Sequence, residues 1–155
     1  MRYFIAMADP ITTLKTIESS WSWIGLKPDA IIKTNAFGNL IVRAKDGAFW
    51  RICPEDLTCE MIACDHNQFQ ALWSSMEFQH DWQMQVLVQL AASELGPVSV
   101  DRCYCLKIPS VLGGPYEKHN LGTISRLELI SFSGFVAQQI ENVPDGGKIT
   151  LKVSK

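Results

Sequence analysis

An excess of charge of either sign is what this 155-residue sequence most conspicuously lacks. Fourteen Lys and Arg stand against sixteen Asp and Glu, for a formal net charge of −2 and a sequence pI of about 5.9. A protein that grips phosphates needs clustered Lys and Arg. No basic stripe is present, so direct nucleic-acid binding is not expected. Long apolar runs are missing too: none approaches the roughly 18–20 residues of a membrane span, and no membrane partner is expected. The apolar opening MRYFIAMA is too short for the core of a secretory signal, which makes the cytoplasm the expected compartment. Histidine is scarce. His66, His80 and His119 are the full set, and none sits in an H-x-x-x-H or H-E-x-x-H spacing. Ser133-Gly134 lacks the G-x-S-x-G frame of a nucleophile elbow. Gly113-Gly114 is followed by Pro115, which removes an N–H, and by no Lys-Ser/Thr pair, so it is no phosphate loop. These absences leave no catalytic residue, cofactor or metal to expect.

Cysteine is present in odd number: Cys53, Cys59, Cys64, Cys103 and Cys105. In a cytoplasmic chain these are expected as reduced thiols packed as small hydrophobes. Cys103 and Cys105 fall on one face of a strand by the period-two rule. A single C-x-C without a second pair is a poor zinc signature. Apolar residues make up 47% of the chain, enough for one domain with a real core.

The local signals come in a clear order. Asp9 can cap a helix that begins with Pro10. Ile11, Leu14, Ile17, Trp21 and Ile24 recur at spacings of three and four, and Gly25 and Pro28 close the element. Residues 30–53 read as a β-meander with strands at 30–34, 40–44 and 48–53, the last two joined by the turn Lys45-Asp46-Gly47; a fourth strand is expected at 57–64. Two helices follow. The first is capped by Asp65 or Asn67 and carries Phe69, Leu72, Trp73 and Met76. The second runs from Trp82 to Leu95, after a polar link at Gln79-His80-Asp81, and ends at Gly96-Pro97. A strand at 101–108 enters the turn Gly113-Gly114-Pro115. A short strand or irregular entry at 121–126 leads to a helix over 127–143 striped by Leu129, Phe132, Val136, Ile140 and Val143. Small residues on that helix (Ser131, Ser133, Gly134, Ala137) would let it lie close to a neighbour. A last alternating strand is expected at 148–153.

This succession predicts a single α+β domain over residues 1–155: a mostly antiparallel or mixed sheet with about four helices packed on it. The turn region 107–120 has the residues of a structural corner. Pro109 ends the strand, Gly113 and Gly114 supply backbone freedom, and Asn120 can hydrogen-bond local backbone; Tyr116 belongs to the same motif. The acidic residues Glu55, Asp56, Glu77, Asp81 and Glu117 fall in loops or near helix ends. They can be a solvated face, a recognition surface for a basic protein, or acid/base groups, although no partner base accompanies them. Trp50, Trp73 and Trp82 are the tryptophans to examine for exposure.

Three stretches together carry a family resemblance: FGNLIVRAKDGAFWRICPEDL (37–57), YCLKIPSVLGGPYEKHN (104–120) and ELISFSGFVAQQIENVPDGGKITLK (128–152). The chain, from about residue 21 to 153, resembles the GAD-like/Tdi-type family of bacterial immunity proteins associated with type VI secretion DNase effectors. The resemblance implies an antitoxin, not an enzyme, whose partner is a cognate nuclease toxin. It carries over no catalytic residues and leaves the oligomeric state open. On that reading the partner-binding candidates are Glu55, Asp56, Trp73, Glu77, Asp81 and Glu117. The alternative is an uncharacterised enzyme or a tRNA-associated module using a Cys/His site beside the Gly113-Gly114 turn.

Overall fold

The computed structural model describes residues 9–144 and 146–147. The strand expected at 148–153 lies outside the described residues. Helix α1 spans Pro10–Trp21, with the Asp9 carboxylate accepting from the Thr12 N–H at 3.1 Å. A 3-10 turn, Ser22–Ile24, continues it to Gly25, whose φ of 91° favours a residue without a side chain. The buried stripe is Thr13, Ile17 and Trp21, while Ile11, expected within it, is exposed. Thr13 can take an inward position because its hydroxyl donates to the Asp9 carbonyl at 2.8 Å.

The meander forms as expected. Strands β1 (Pro28–Thr34), β2 (Leu40–Ala44), β3 (Phe49–Cys53) and β4 (Thr58–Ala63) make one antiparallel sheet in sequence order. Its register sets two rows of side chains. Lys33, Ile41, Arg51 and Glu60 pair successively across the sheet, and so do Ile31, Val42, Trp50 and Met61. Because side chains alternate between faces, these adjacent rows project to opposite sides. Leu40, Ile41 and Val42 are all buried, the mark of a strand covered on both faces.

One face packs on α1 and on α5 (Arg126–Ile140): Leu40, Val42 and Ile52 share a core with Ile17, Trp21, Ile130, Val136 and Ala137. The two helices approach closely at Gly134, where an added Cβ would stand 2.4 Å from the Ser20 carbonyl oxygen. Gly134, one of the small residues noted in the sequence, thus meets a neighbouring helix, while Ser131 is exposed. Phe132, assigned to the buried stripe of α5, is exposed; Ile130, Ser133 and Gly134 are buried instead. The opposite face packs on α2 (His66–Trp73) and α3 (Met76–Gln83): Ile41, Phe49 and Ala63 meet Phe69 and Trp82.

The region after α2 departs from expectation. The stretch 79–81 is helical, and the helix expected from Trp82 to Leu95 is two helices, α3 and α4 (Gln85–Leu95), broken at Met84 in the left-handed region (φ 47°, ψ 39°). The cause is tertiary. Asn35, on the turn after β1, donates from Nδ2 to the Trp82 carbonyl at 2.9 Å and so satisfies a backbone acceptor at the end of α3. A left-handed non-glycine residue costs about 1 kcal/mol, which this contact and the burial of Trp82 offset. Five α-helices are therefore found among the described residues.

A separate two-stranded ribbon, β5 (Arg102–Leu106) and β6 (Leu121–Ser125), packs on α4 through Tyr104, Leu106, Leu121 and Ala91, with Phe37 from the meander. The molecule is α+β with an antiparallel four-stranded sheet between two helical layers.

Candidate functional site

Two polar centres interrupt the apolar packing, and each gathers residues far apart in sequence. The first is built on Asn39, at the mouth of β2 and fully buried. Asn35 positions it by accepting the N–H groups of Phe37 and Asn39 on its Oδ1, both at 3.0 Å. The Asn39 amide then joins an acidic and a basic side chain. Its Nδ2 donates to Glu55 Oε2 at 2.8 Å, and its Oδ1 accepts from Arg51 Nε at 3.2 Å and Nη2 at 3.0 Å. Arg51 completes the chain by donating from Nη1 to Asp81 Oδ2 at 2.5 Å. The guanidinium lies over the rings of Trp82 (5.1 Å) and Phe78 (5.7 Å). Trp73 closes the aromatic group against Trp82, with ring centroids 5.9 Å apart, and Lys33 Nζ sits 4.7 Å over Trp73.

Glu55 is thus not a surface charge: 6% of it is exposed. Burial pushes its carboxyl up to about 7, a rise that the Asn39 hydrogen bond and the nearby Arg51 oppose and the Asp56 charge assists. Asp81, at the other end of the network, is exposed on α3.

The second centre clamps the loop between β5 and β6. Asp56 Oδ1 accepts from Ser110 Oγ and, at 2.5 Å, from Tyr116 Oη. Burial and the bond to Asp56 raise the Tyr116 phenol pKa. Asn120 is buried and does what the sequence reading expected of it. Its Oδ1 accepts the Ile108 N–H at 2.9 Å, and its Nδ2 donates to the carbonyls of Ile108 (2.9 Å) and Pro115 (3.0 Å). Gly114 is buried where a Cβ would fall 1.7 Å from the Ile108 carbonyl oxygen, and Gly113 has φ 93°. Pro109 is buried beside them. Only glycine fits position 114, and the motif is a rigid corner.

The candidate residues thus divide. Asp56 and Tyr116 are brought together, while Glu55 and Asp81 are joined through Asn39 and Arg51. Glu77 and Glu117 are exposed, and Trp73 and Trp50 are half-buried. Asn39 and Arg51 were not singled out from sequence; an Asn facing a run of buried aliphatics at Asn39-Leu40-Ile41 is the signal that could have found the first.

The thiols beside the Gly corner do not read as nucleophiles. Burial pushes Cys103 up to about 12, with Arg126 opposing, and raises Cys105. Cys53 and Cys59 are likewise pushed up to about 12 by burial. Cys64 is exposed, and its thiol donates to Gln68 Oε1 at 2.8 Å. Among the described residues no group of three or more His, Cys, Asp or Glu is placed to hold a metal ion, and no helix is long and apolar enough to cross a membrane.

What these centres have in common is polar groups used to fix backbone and aromatic rings. Residues 64–137, from the end of β4 through most of α5, match the family model described as T6SS immunity protein Tdi1, C-terminal. Over that span, just under half of the chain, it is similar to this immunity family. Among curated proteins none matches the chain. Immunity proteins act by binding an effector protein, in keeping with the expectation that the chain is not an enzyme. The matched span holds α2, α3, α4 and the Gly corner; Asn39, Arg51, Glu55 and Asp56 lie before it. The two polar centres therefore tie the family segment to the sheet, through Arg51–Asp81 on one side and Asp56–Ser110/Tyr116 on the other.

Proposed function

We propose that this immunity protein neutralises a nuclease effector of a type VI secretion system by binding it in the cytoplasm of the producing cell, which protects that cell's DNA. The observation that carries the reading is the family match over residues 64–137. The DNase character of the partner is supported by the resemblance of residues 37–57, 104–120 and 128–152 to GAD-like/Tdi-type immunity proteins. The construction also supports it. An inhibitor works best when its contact surface is ordered before the partner arrives, and both polar centres order surface elements that carry exposed candidates: Asp81 beside Glu77 and Trp73, and Tyr116 beside Glu117.

The test is coexpression with the effector encoded beside the gene. Cells carrying both are expected to survive and to yield a stable complex on purification. Equal killing with and without the immunity protein would refute the reading.

A further inference from the structure

Charge in this chain is balanced overall but segregated along the sequence. Between Arg51 and Arg102 there is neither Lys nor Arg, while eight Asp and Glu residues fall in the same interval. All fourteen basic residues lie before or after it. The interval is the end of the sheet plus the successive helices α2, α3 and α4, the first two packed on the sheet and the third on the β5–β6 ribbon. Two of its charges, Glu77 and Asp81, are four residues apart on α3 and so share one helix face. Glu60, on β4, is exposed and stands next to Arg51 in the cross-strand row. Two cations adjoin this face and leave it net acidic: the Arg51 side chain is only 11% exposed and is spent on Asn39, Asp81 and the aromatic rings, while Lys33 is exposed and sets its Nζ over Trp73.

A second feature falls on the same run of helices. The two most exposed large apolar residues among the described ones are Met76 (87%) and Val86 (80%), in the first turns of α3 and α4. A dispersed acidic face with no metal-holding group and with projecting apolar side chains fits an extended protein surface better than an ion. Apolar contacts give such an interface its core, and the charges select and steer the partner.

We propose that the α2–α4 layer is the docking face for the effector, and that its occupant is the basic surface with which the nuclease grips nucleic-acid phosphates. This rests on the immunity reading. Charge complementarity decides the occupant. A nuclease must present Lys and Arg to its substrate, and the face of this protein able to meet such a surface is the one stretch of fifty residues that carries no positive side chain of its own beyond His66 and His80. Docking there would place acid where the phosphates lie and exclude the substrate by competition.

The test uses the full chain and the purified effector encoded beside it. The charge-reversed variant Glu60→Lys/Glu77→Lys/Glu94→Lys alters exposed positions of the layer; a control set, Glu18→Lys/Glu128→Lys/Glu141→Lys, alters exposed positions on α1 and at the two ends of α5. Affinity is measured at low and high salt, with circular dichroism melts to confirm that both sets fold. The layer variant is expected to bind at least about tenfold more weakly, mainly through slower association, and to lose most of the salt dependence. The control set is expected to bind as the parent does. Met76→Ser/Val86→Ser is expected to speed dissociation without changing the salt slope. Wild-type protein bound to the effector should exclude duplex DNA from it. Tight, salt-sensitive binding untouched by the layer reversal, or weakened by the control set instead, would overturn the assignment of this face. Failure of the unaltered protein to bind its effector would overturn the immunity reading and this inference with it.

Discussion

The two faces of the four-stranded sheet are covered by helices in different ways. On the α1/α5 side the contacts are aliphatic and close, down to the bare backbone meeting of Gly134 and Ser20. On the α2/α3 side they are aromatic and cationic: Phe49 stacks on Phe69 at 4.4 Å, Lys33 and Arg51 cap tryptophans, and Asp81 is anchored by an ion pair whose own support is a buried amide. The first kind of packing tolerates little change of shape, since dense cores have no slack. The second depends on the charge state of its groups and so responds to pH and salt. The scaffold role belongs to the first face. The layer that carries the family match and the proposed docking surface is held by the second.

The sharpest way to break this comparison is to crowd the scaffold side. Gly134→Val puts a branched side chain where even a Cβ would lie 2.4 Å from a backbone oxygen. We expect a loss of about 3 kcal/mol or more, read as a fall in the urea midpoint with the slope unchanged. A loss below about 1 kcal/mol would mean that α1 and α5 part easily and that this face is no more rigid than the other.

The second face should instead show a titration. The Glu55 carboxyl is raised in the folded state from 4.5 to about 7, so the folded protein holds a proton that the unfolded chain has released. Stability is then full below pH 4.5 as far as this group is concerned, and falls as pH rises through about 7. The full difference is about 3 kcal/mol, at 1.36 kcal/mol for each pH unit of separation. Glu55→Gln keeps a neutral side chain in place and should flatten the profile between pH 5 and 8, leaving the variant more stable than the parent at pH 8. A parent whose stability is level across that range would sink the idea. The groups set around Glu55 are Asn39, Arg51, Asp56 and Cys53.

Asn39→Ala removes the amide that joins Glu55 to Arg51 and leaves both without that partner inside the protein. A cost of about 2 kcal/mol is expected. A double-mutant cycle with Glu55→Gln should show coupling, because the two changes act on one network. Strict additivity would show that the amide serves each charge separately.

How much of this was legible beforehand follows the range of the interactions. The meander, α1 and the Gly corner are local: Asp9-Pro10, the turn at Gly47 and the set Pro109, Gly113, Gly114 and Asn120 carry their own instructions, and the structure follows them. The break at Met84 is not local. It depends on Asn35 reaching a carbonyl 47 residues away, and no glycine or proline marks the joint. The exposure of Phe132 was hidden for a related reason. Leu129 and Val136 of the expected stripe are buried, but a helix that meets its neighbour at Gly134 also turns a small side inward, and Phe132 is left outside. The acidic candidates were visible as residue types, but a sequence cannot show that Glu55 faces a buried amide while Asp81, twenty-six positions later, faces the same arginine from solvent.

The smallest expected effect separates the two cations of the second face. Lys33 and Arg51 occupy the same cross-strand row and each lies over a tryptophan. Lys33 is exposed and makes its ring contact from solvent, so Lys33→Gln should cost only about 0.5 kcal/mol. Arg51 is enclosed and supports Asn39 and Asp81 as well, so Arg51→Gln should cost several times more, on the order of 3 kcal/mol, by stranding the groups it pairs. Urea melts of the two variants under one set of conditions give the ratio. Equal losses would mean that the aromatic contact, common to both, holds the layer. A large difference would place the strength of this face in the buried amide network, with the tryptophans as packing around it.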